Sequence, residues 1–521
     1  MINTPRARRG MVTSPHHLAS QAGLSVLREG GTAIEATVAV AATLSVVYPH
    51  MLSIGGDAFW LVAAGADDPI AVEACGAAGS KVTRDLYRGH KEIPLRGPLA
   101  ANSVAGAVSG WGAALDISKR WGGKMPLARL LEEAIHYAEA GFPVSDHLAA
   151  VVPEVQAELA PQPGFKALMM PSGAWPKPGA LLRQPALART LKRIASAGTD
   201  DFYRGELAGA IAADLALAGS PLVAEDLSNH RARERKPLSI VTSRGRLFNF
   251  PPPTQGVASL LILGQFDRLG IATAEGFDHL HALIEATKQA YRIRDRVVGD
   301  PDYMKERAED YLTDAALDKL AASIDRRRAA PARAPTGDGD TAWMGAIDGE
   351  GRAASHIQSV FHGFGSGVVL EDTGIVWQNR GTSFSLDPAA ANPLTPGRKP
   401  FHTLNPAMAR LRDGRLVTYG TMGAHGQPQF QAAVFSRYAW FDQGFQQAVT
   451  APRWLVDAGR VLVESRVDPA VVAALRAAGH ELEVLGPFVS LFGHSGGIAR
   501  HADGSLEGAA DPRSDGAVAA F

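Results

Sequence analysis

The sequence predicts an α+β protein in which helical layers enclose strands arranged as two sheets. Three observations lead there. Two helical signatures stand back to back in the first 47 residues. A stretch from Arg326 to Asp340 contains no large apolar residue. Directly after it, from Thr341, the pattern turns to short β-prone runs separated by turn residues.

Ala19, Ala22, Gly23, Val26 and Leu27 repeat at the spacing of a buried helical stripe, and Gly30-Gly31 supplies the stop. Thr32 and Glu35 have capping-box spacing ahead of a second helix reaching about Val47, which Tyr48-Pro49 ends, because proline disfavours helical geometry in the residue before it. Phe59 to Ala64 reads as a buried strand, and Leu127 to Ala322 as largely helical, with Pro- and Gly-rich loops near 161–179 and 251–256. Downstream, strands are expected at 341–347, 354–361, 367–370, 374–378 and 415–419. A long helix is expected at about 428–449, then a strand at 460–465, a helix at 469–478 and a strand at 481–485. The apolar-poor segment, 326–340, is expected to be exposed and mobile. It divides the chain into a large piece, 1–340, and a small one, 341–521.

With 521 residues the chain exceeds one ordinary hydrophobic core and suits one large composite domain or two. Its 46% apolar and 20% charged residues describe a soluble globular protein. A formal net charge of −1 gives no overall field to recruit nucleic acid or an anionic membrane. The sole cysteine, Cys75, rules out an internal disulfide and a cysteine-based zinc site, and reads as a small buried residue. No apolar stretch follows the arginine-rich Met1–Gly10, so no signal peptide is expected. The most apolar run, 36–47, is interrupted by Thr37, Thr43 and Ser45 and falls short of the roughly 20 residues that span a bilayer. The expectation is a cytoplasmic protein.

A flexible polar segment ending at a threonine that opens a strand suggests one chemistry. The Thr341 hydroxyl attacks the carbonyl of Asp340, the peptide bond is exchanged for an ester, and water cleaves the ester. The freed residue then carries a nucleophilic Oγ and, close by, an α-amine of unperturbed pKa about 7.7 to 8.0 that serves as the base. The plain alternative is an ordinary strand residue after a loop.

Five ordered blocks decide between them. Met11-Val12-Thr13-Ser14-Pro15-His16-His17-Leu18-Ala19-Ser20-Gln21-Ala22-Gly23 opens the chain; Gly55-Gly56-Asp57-Ala58-Phe59, Pro251-Pro252-Pro253-Thr254-Gln255-Gly256 and Gly299-Asp300-Pro301-Asp302-Tyr303 follow; Ala510-Asp511-Pro512-Arg513-Ser514-Asp515-Gly516 stands near the end. In these blocks the chain resembles the γ-glutamyltranspeptidase family. The resemblance implies a four-layer αββα Ntn-hydrolase sandwich and a proenzyme cut between Asp340 and Thr341. The two products would stay together as a heterodimer, with a dimer of heterodimers as a further assembly. It implies an oxyanion turn at Gly423-Ala424, where backbone N–H groups hold the tetrahedral oxyanion, a contribution of a few kcal/mol. It also places Ser359, eighteen residues after the nucleophile, where the family has a threonine that assists processing.

The departures bear on substrate. The family holds the γ-glutamyl group through an arginine on the α-carboxylate and an aspartate and an asparagine on the α-amine. By the resemblance, the arginine-bearing stretch reads Glu73-Ala74-Cys75-Gly76-Ala77-Ala78-Gly79, the asparagine position is Phe361, the aspartate position is Ser383, and a glutamine before it is Arg380. Paired serines read His402-Thr403. A zwitterion's charges would be left desolvated and unpaired there, at a cost of several kcal/mol. Arg380 and His402 remain as donors, which suits a small anionic amide without an amine, such as the oxamate that a cytoplasmic branch of the family hydrolyses in allantoin breakdown. Glutaryl (cephalosporin-type) acylase activity and glutathione hydrolase or transferase activity are the alternatives. The lid region between Ser385 and Pro400 is short, which favours water over an acyl acceptor.

Two rivals belong to other classes. Gly493-His494-Ser495-Gly496-Gly497 matches a G-x-S-x-G nucleophile elbow, but an apparent strand follows where that chemistry needs a helix. A pseudoenzyme binding module would tolerate the altered substrate residues but has no use for Thr341, Ser359 and the glycine turn. His16-His17 lack metal-ligand spacing, and Asp300 and Asp302 read as a turn, so neither metal nor cofactor is expected.

Overall fold

The structure is a computed structural model that describes residues 3–331 and 339–521. Its first two helices follow from their signals. His17–Arg28 buries Ala19, Ala22, Gly23, Val26 and Leu27. Ala33–Val47 starts from a complete capping box: Thr32 Oγ1 accepts the Glu35 N–H at 3.1 Å, and Glu35 Oε2 accepts the Thr32 N–H at 2.7 Å. Every residue of this second helix is buried, as expected of a helix apolar on all sides.

Two seven-stranded sheets form the centre, with antiparallel pairing throughout. One runs in the order Ala517–Ala520, Met11–Ser14, Asp340–Ile347, Ala353–Phe361, Asp57–Ala63, Ile70–Ala74, Arg233–Arg235. The other runs Arg6–Ala7, Leu506–Ala510, Ser495–Arg500, Leu416–Thr421, Ala407–Leu411, Gly245–Asn249, Leu238–Val241. Phe59, Leu61, Phe248, Phe250, Trp343, Ile357, Met408 and Ile498 fill the space between them. A second core packs the helices of residues 17–47 and 107–120 on the first sheet; a third packs Gly256–Leu269, Phe277–Val297 and Gln427–Trp440 on the other. The layers are therefore helix, sheet, sheet, helix, as in the αββα sandwich. Each sheet contains strands from both sides of Asp340.

Trp343 sits between the sheets and donates from Nε1 to Ser355 Oγ at 2.9 Å. Its ring passes so close to Gly420 that a Cβ there would stand 2.1 Å from Cδ1. Only glycine admits the indole at this crossing.

Several elements differ from expectation. The stretch 127–322 is not only helical: Arg233–Arg235, Leu238–Val241 and Gly245–Asn249 are sheet strands. Runs of three to five residues carry too little periodicity to declare themselves. The hairpin of Leu238–Val241 with Gly245–Asn249 joins its sheet through the distant Ala407–Leu411, as Arg233–Arg235 joins the other through Ile70–Ala74. Residues 367–370 and 374–378 form only the isolated bridges Val369 to Val376 and Gly55 to Trp377. The expected helix 428–449 is two, Gln427–Trp440 and Phe445–Thr450, broken where Asp442 takes φ 52°. Of the segment expected to be mobile, residues 332–338 lie outside the described residues. Its beginning is tied down instead: Ala329 N–H donates to Ala478 O at 2.8 Å, Ala330 N–H to Glu285 Oε2 at 3.1 Å, and Lys288 Nζ to Ala330 O at 2.7 Å.

The two ends of the chain meet. Ala517–Ala520 pairs with Met11–Ser14, and Ser20 Oγ donates to Ala517 O at 2.7 Å. The block at 510–516 turns around a buried ion cluster. Asp511 accepts from Arg453 at 2.6 Å, from Arg513 at 3.0 Å and from the Ser495 N–H at 2.7 Å, and Arg513 also reaches Glu464 at 2.6 Å. Burial alone would raise the Asp511 pKa, but Arg453 and Arg513 outweigh it and hold it below the usual carboxylate range. Asp511→Ala, which strands the buried Arg453 and leaves Arg513 with the Glu464 carboxylate alone, is expected to cost about 3–5 kcal/mol in urea unfolding at pH 7. For a depressed pKa the contribution is full above the unfolded value near 3.9 and is lost as pH falls through the folded one, so the difference between variant and wild type should close in strong acid. No helix among the described residues is long and apolar enough to cross a membrane.

Candidate active site

The strand Asp340–Ile347 lies in the middle of its sheet, and its pairing with Ala353–Phe361 is irregular at its start. Asp340 is opposite Phe361 while Ala342 is opposite Gln358, so the register shifts across Thr341. Bulges of this kind re-aim a side chain. Thr341 is buried, and its Oγ1 accepts from Gln427 Nε2 at 3.4 Å.

Ser359 faces the same junction. Its hydroxyl donates to the carbonyl oxygen of Asp340, the acyl oxygen of the bond before Thr341, and accepts the Phe361 N–H at 2.7 Å. Phe361 has φ 84° and nearby Phe364 φ 60°, conformations that non-glycine residues rarely adopt. Backbone strain therefore gathers beside the Asp340–Thr341 bond, as it does at many functional sites.

The third component is the turn from strand Leu416–Thr421 into helix Gln427–Trp440. Gly423 takes φ 122° and Ala424 φ 42°. A side chain at Gly423 would also collide with the Phe430 ring, its Cβ standing 2.6 Å from Cε2. The carbonyls of the turn are held from behind. Gln255 Nε2 donates to Ala424 O at 2.7 Å, Tyr291 donates its hydroxyl to His425 O, and Arg294 in turn donates to Gln255 Oε1 at 2.7 Å. This fixes the turn, and Gly423 and Ala424 line a cavity of about 580 Å³ together with Gly339, Asp340, Arg96, His147, His362, His425 and Ser490. Asp340 and the glycine turn line the cavity, and just beside it stand the Thr341 hydroxyl and the Ser359 hydroxyl on the Asp340 carbonyl, an arrangement of the kind acyl transfer uses.

The other residues singled out from sequence come together, but behind this cavity rather than on it. Arg380 is fully buried. Its guanidinium lies 3.5 Å over the Phe361 ring and donates to Thr403 Oγ1 at 3.1 Å and Phe401 O at 3.4 Å. Burial drives its pKa down to about 9. Ser383 donates to Phe401 O at 3.0 Å. His402 Nε2 stands 3.4 Å from Asp57 Oδ2, and burial, then the nearby Arg380 charge, holds the imidazole well below its ordinary range, so it is neutral. Burial pushes Asp57 up to about 7, against the N–H groups of Gly76 and Gly106 at 3.1 Å each. Phe361 connects the two regions: a Cβ on Gly339 would touch its ring at 3.1 Å. In the uncut chain, then, Arg380, Ser383, His402 and Thr403 do not line the cavity, because Phe361 stands where the resemblance has a small polar side chain. Residues 385–400 do not line it either. They close on themselves, Ser385 N–H to Asn392 O at 2.9 Å and Leu394 N–H to Ser385 O at 2.8 Å.

Ser495 opens the strand Ser495–Arg500 rather than a helix, so the Gly493–Gly497 motif is no nucleophile elbow. Asp300 caps its own turn, accepting the Asp302 N–H at 3.2 Å. Among the described residues, His281, Glu285 and His480 lie close enough to share an ion. Lys288 already fills that place, 2.7 Å from Glu285 Oε1 and 3.4 Å from His480 Nδ1. Sequence reasoning missed Gln427, Gln255 and Arg96. Gln255 stands inside the block Pro251–Gly256, whose wording was the available signal; Gln427 follows the Gly423-Ala424 turn by three residues, and Arg96 comes from a loop and carries no signal.

Sheet on sheet between helical layers, with a threonine in the central strand facing a glycine turn, defines an amidohydrolase of the Ntn class, acting on amide C–N bonds. The chain belongs to the γ-glutamyltranspeptidase family, whose model (Gamma-glutamyltranspeptidase) matches residues 19–521. It is 51% identical over 519 residues to an oxamate amidohydrolase proenzyme of Klebsiella pneumoniae, covering 98% of each chain. It is 39% identical to a glutathione hydrolase-like proenzyme of Bacillus subtilis, again over 98% of each. Among solved structures, a cephalosporin acylase from Bacillus halodurans superposes with a TM-score of 0.93 at 34% identity, covering 100% of this chain and 97% of that one.

Proposed function

We propose that the chain cuts itself between Asp340 and Thr341 and then hydrolyses a small anionic amide, oxamate, to oxalate and ammonia. The observation that carries this reading is the pair of contacts at one peptide unit: Ser359 donates to the Asp340 carbonyl, and the adjacent Thr341 hydroxyl is held by Gln427. Thr341 Oγ attacks the Asp340 carbonyl carbon, Ser359 stabilises the charge growing on its oxygen, the C–N bond breaks to an ester, and water releases Asp340. The liberated α-amine then takes the Thr341 hydroxyl proton as the same oxygen attacks the oxamate amide. The N–H groups of Gly423 and Ala424 hold the oxyanion, the α-ammonium passes its proton to the departing nitrogen, ammonia leaves, and water hydrolyses the oxalyl ester to oxalate and free Thr341. Ser359 and Gln427 are set by the fold before any substrate arrives, which is the preorganisation such electrostatic catalysis needs.

Two further observations favour an acid amide over a γ-glutamyl donor. The 51% identical relative is an oxamate amidohydrolase proenzyme, and Phe361 and Ser383 offer no charge to a substrate amine. The test is ammonia release from oxamate, glutamine and glutaramate side by side. Oxamate turnover is expected; release from glutamine instead contradicts the reading. The glutaramate arm tests the acylase reading that the Bacillus halodurans structure favours. Because the base is an amine that must be neutral, kcat/KM should rise about tenfold per pH unit below roughly 7.7 to 8.0 and level off above it. A profile flat across that range would remove the amine from the mechanism.

A further inference from the structure

Self-cleavage and turnover attach an acyl carbon to the same Thr341 oxygen, so the residue before the cut is the first acyl group the site handles. That residue is an aspartate, and its carboxylate has a defined place. Asp340 Oδ2 lies 2.7 Å from where a Cβ on Gly363 would stand, filling the space a side chain at 363 would take. The carbonyl of Gly363 accepts from Arg96 Nη1 at 2.7 Å, and the same nitrogen donates to Gly365 O at 2.5 Å. Arg96 thus holds the rim of the place where the Asp340 carboxylate rests. Its Nε reaches the half-exposed Glu158 at 3.2 Å, and its own side chain is 10% exposed.

Among the described residues lining this cavity, Arg96 is the only arginine or lysine. The histidines there do not compete at neutral pH: burial drives His362 down to about 3 and His425 well below its ordinary range. Arg380 is turned against Phe361 and Thr403. Glu158 and, through its charge, Asp340 are anions that act on Arg96. When Asp340 leaves, Arg96 keeps Glu158, and a cation with hydrogen-bonding capacity lines the emptied acyl site.

Resting on the amidohydrolase reading above, we infer that Arg96 is the specificity-determining residue, receiving the free carboxylate of the acyl group where Asp340 keeps its own before cleavage. The Asp340 carboxylate is separated from its acyl carbon by two carbons, the spacing of a succinyl group. The acyl site therefore takes monoamides of short dicarboxylic acids beyond oxamate, with succinamate matching the reach of Asp340.

The experiment measures ammonia release by the processed protein from oxamate, succinamate and the uncharged butyramide. Wild type should turn over succinamate at least about 10-fold better in kcat/KM than butyramide, the factor that hydrogen bonds to a charged group supply. Arg96→Gln should raise KM for succinamate about 10- to 100-fold relative to that for butyramide, with a smaller rise for oxamate, whose carboxylate falls two carbons short of the Asp340 position, while Arg96→Lys restores part of the loss. If Arg96→Gln is not processed, the KM of Arg96→Lys decides. An unchanged KM for succinamate in the processed Arg96 variants, or a KM effect on it found in Arg380→Gln instead, overturns the inference while leaving oxamate hydrolysis standing. An absence of succinamate turnover in a wild type active on oxamate also overturns it. Absence of ammonia from oxamate in wild type counts against the proposed function itself.

Discussion

Thr341→Ala is expected to purify as one uncut chain of 54.9 kDa and to hydrolyse oxamate at least about 10⁴-fold more slowly than wild type. Both effects come from one atom. Without Oγ1 nothing adjacent can attack the Asp340 carbonyl, and without the cut there is no free α-amine to act as base. The fold should be untouched, because the β-strand Asp340–Ile347 pairs through its backbone and alanine occupies less of the same buried space. Thr341→Ser, which keeps the hydroxyl, should still cut. An uncut Thr341→Ala protein with normal activity would separate hydrolysis from processing and remove Thr341 from the hydrolytic step.

Ser359→Ala is the second large effect, and it should fall on the rate of self-cleavage. The Ser359 hydroxyl is the donor on the Asp340 carbonyl oxygen, where negative charge develops as Thr341 attacks. Losing one such donor slows acyl chemistry about 10²- to 10³-fold. The same substitution leaves the Phe361 N–H, now bonded to Ser359 Oγ at 2.7 Å, without its acceptor at a residue already strained at φ 84°. A time course of uncut chain, resolved by mass, should show the delay, with Ser359→Thr close to wild type. Cleavage of Ser359→Ala at the wild-type rate would reduce the hydroxyl to a structural contact.

How much of this was legible beforehand depended on where the signal is stored. Thr32 and Glu35 announce their helix because the capping box is local, and the structure forms it bond for bond. The glycine turn is legible because Gly423 must take φ 122° against Phe430, which no other residue tolerates well. The strands Leu238–Val241 and Gly245–Asn249 are not, since the short hairpin they form becomes part of a sheet only through Ala407–Leu411, a partner of Gly245–Asn249 more than 150 residues away. The same reason hides the true position of Arg380. Its spacing from Thr341 is readable, but the Phe361 ring between it and the cavity is a fact of packing. Arg96 is least legible of all, because it enters from a loop with no motif and is anchored by the distant carbonyls of Gly363 and Gly365. The block Ala510–Gly516 shows the converse. Its wording identifies it at once, while the reason for it, a carboxylate between Arg453 and Arg513, appears only in three dimensions.

The most direct test of the central claim is the N-terminal sequence of every piece in the purified wild-type protein, read together with their intact masses. The mechanism predicts two pieces that copurify, whose masses sum to the uncut chain plus one water, and a new N-terminus beginning Thr341-Ala342-Trp343. A single uncut chain that hydrolyses oxamate, or an active protein cut at any other bond, would contradict it.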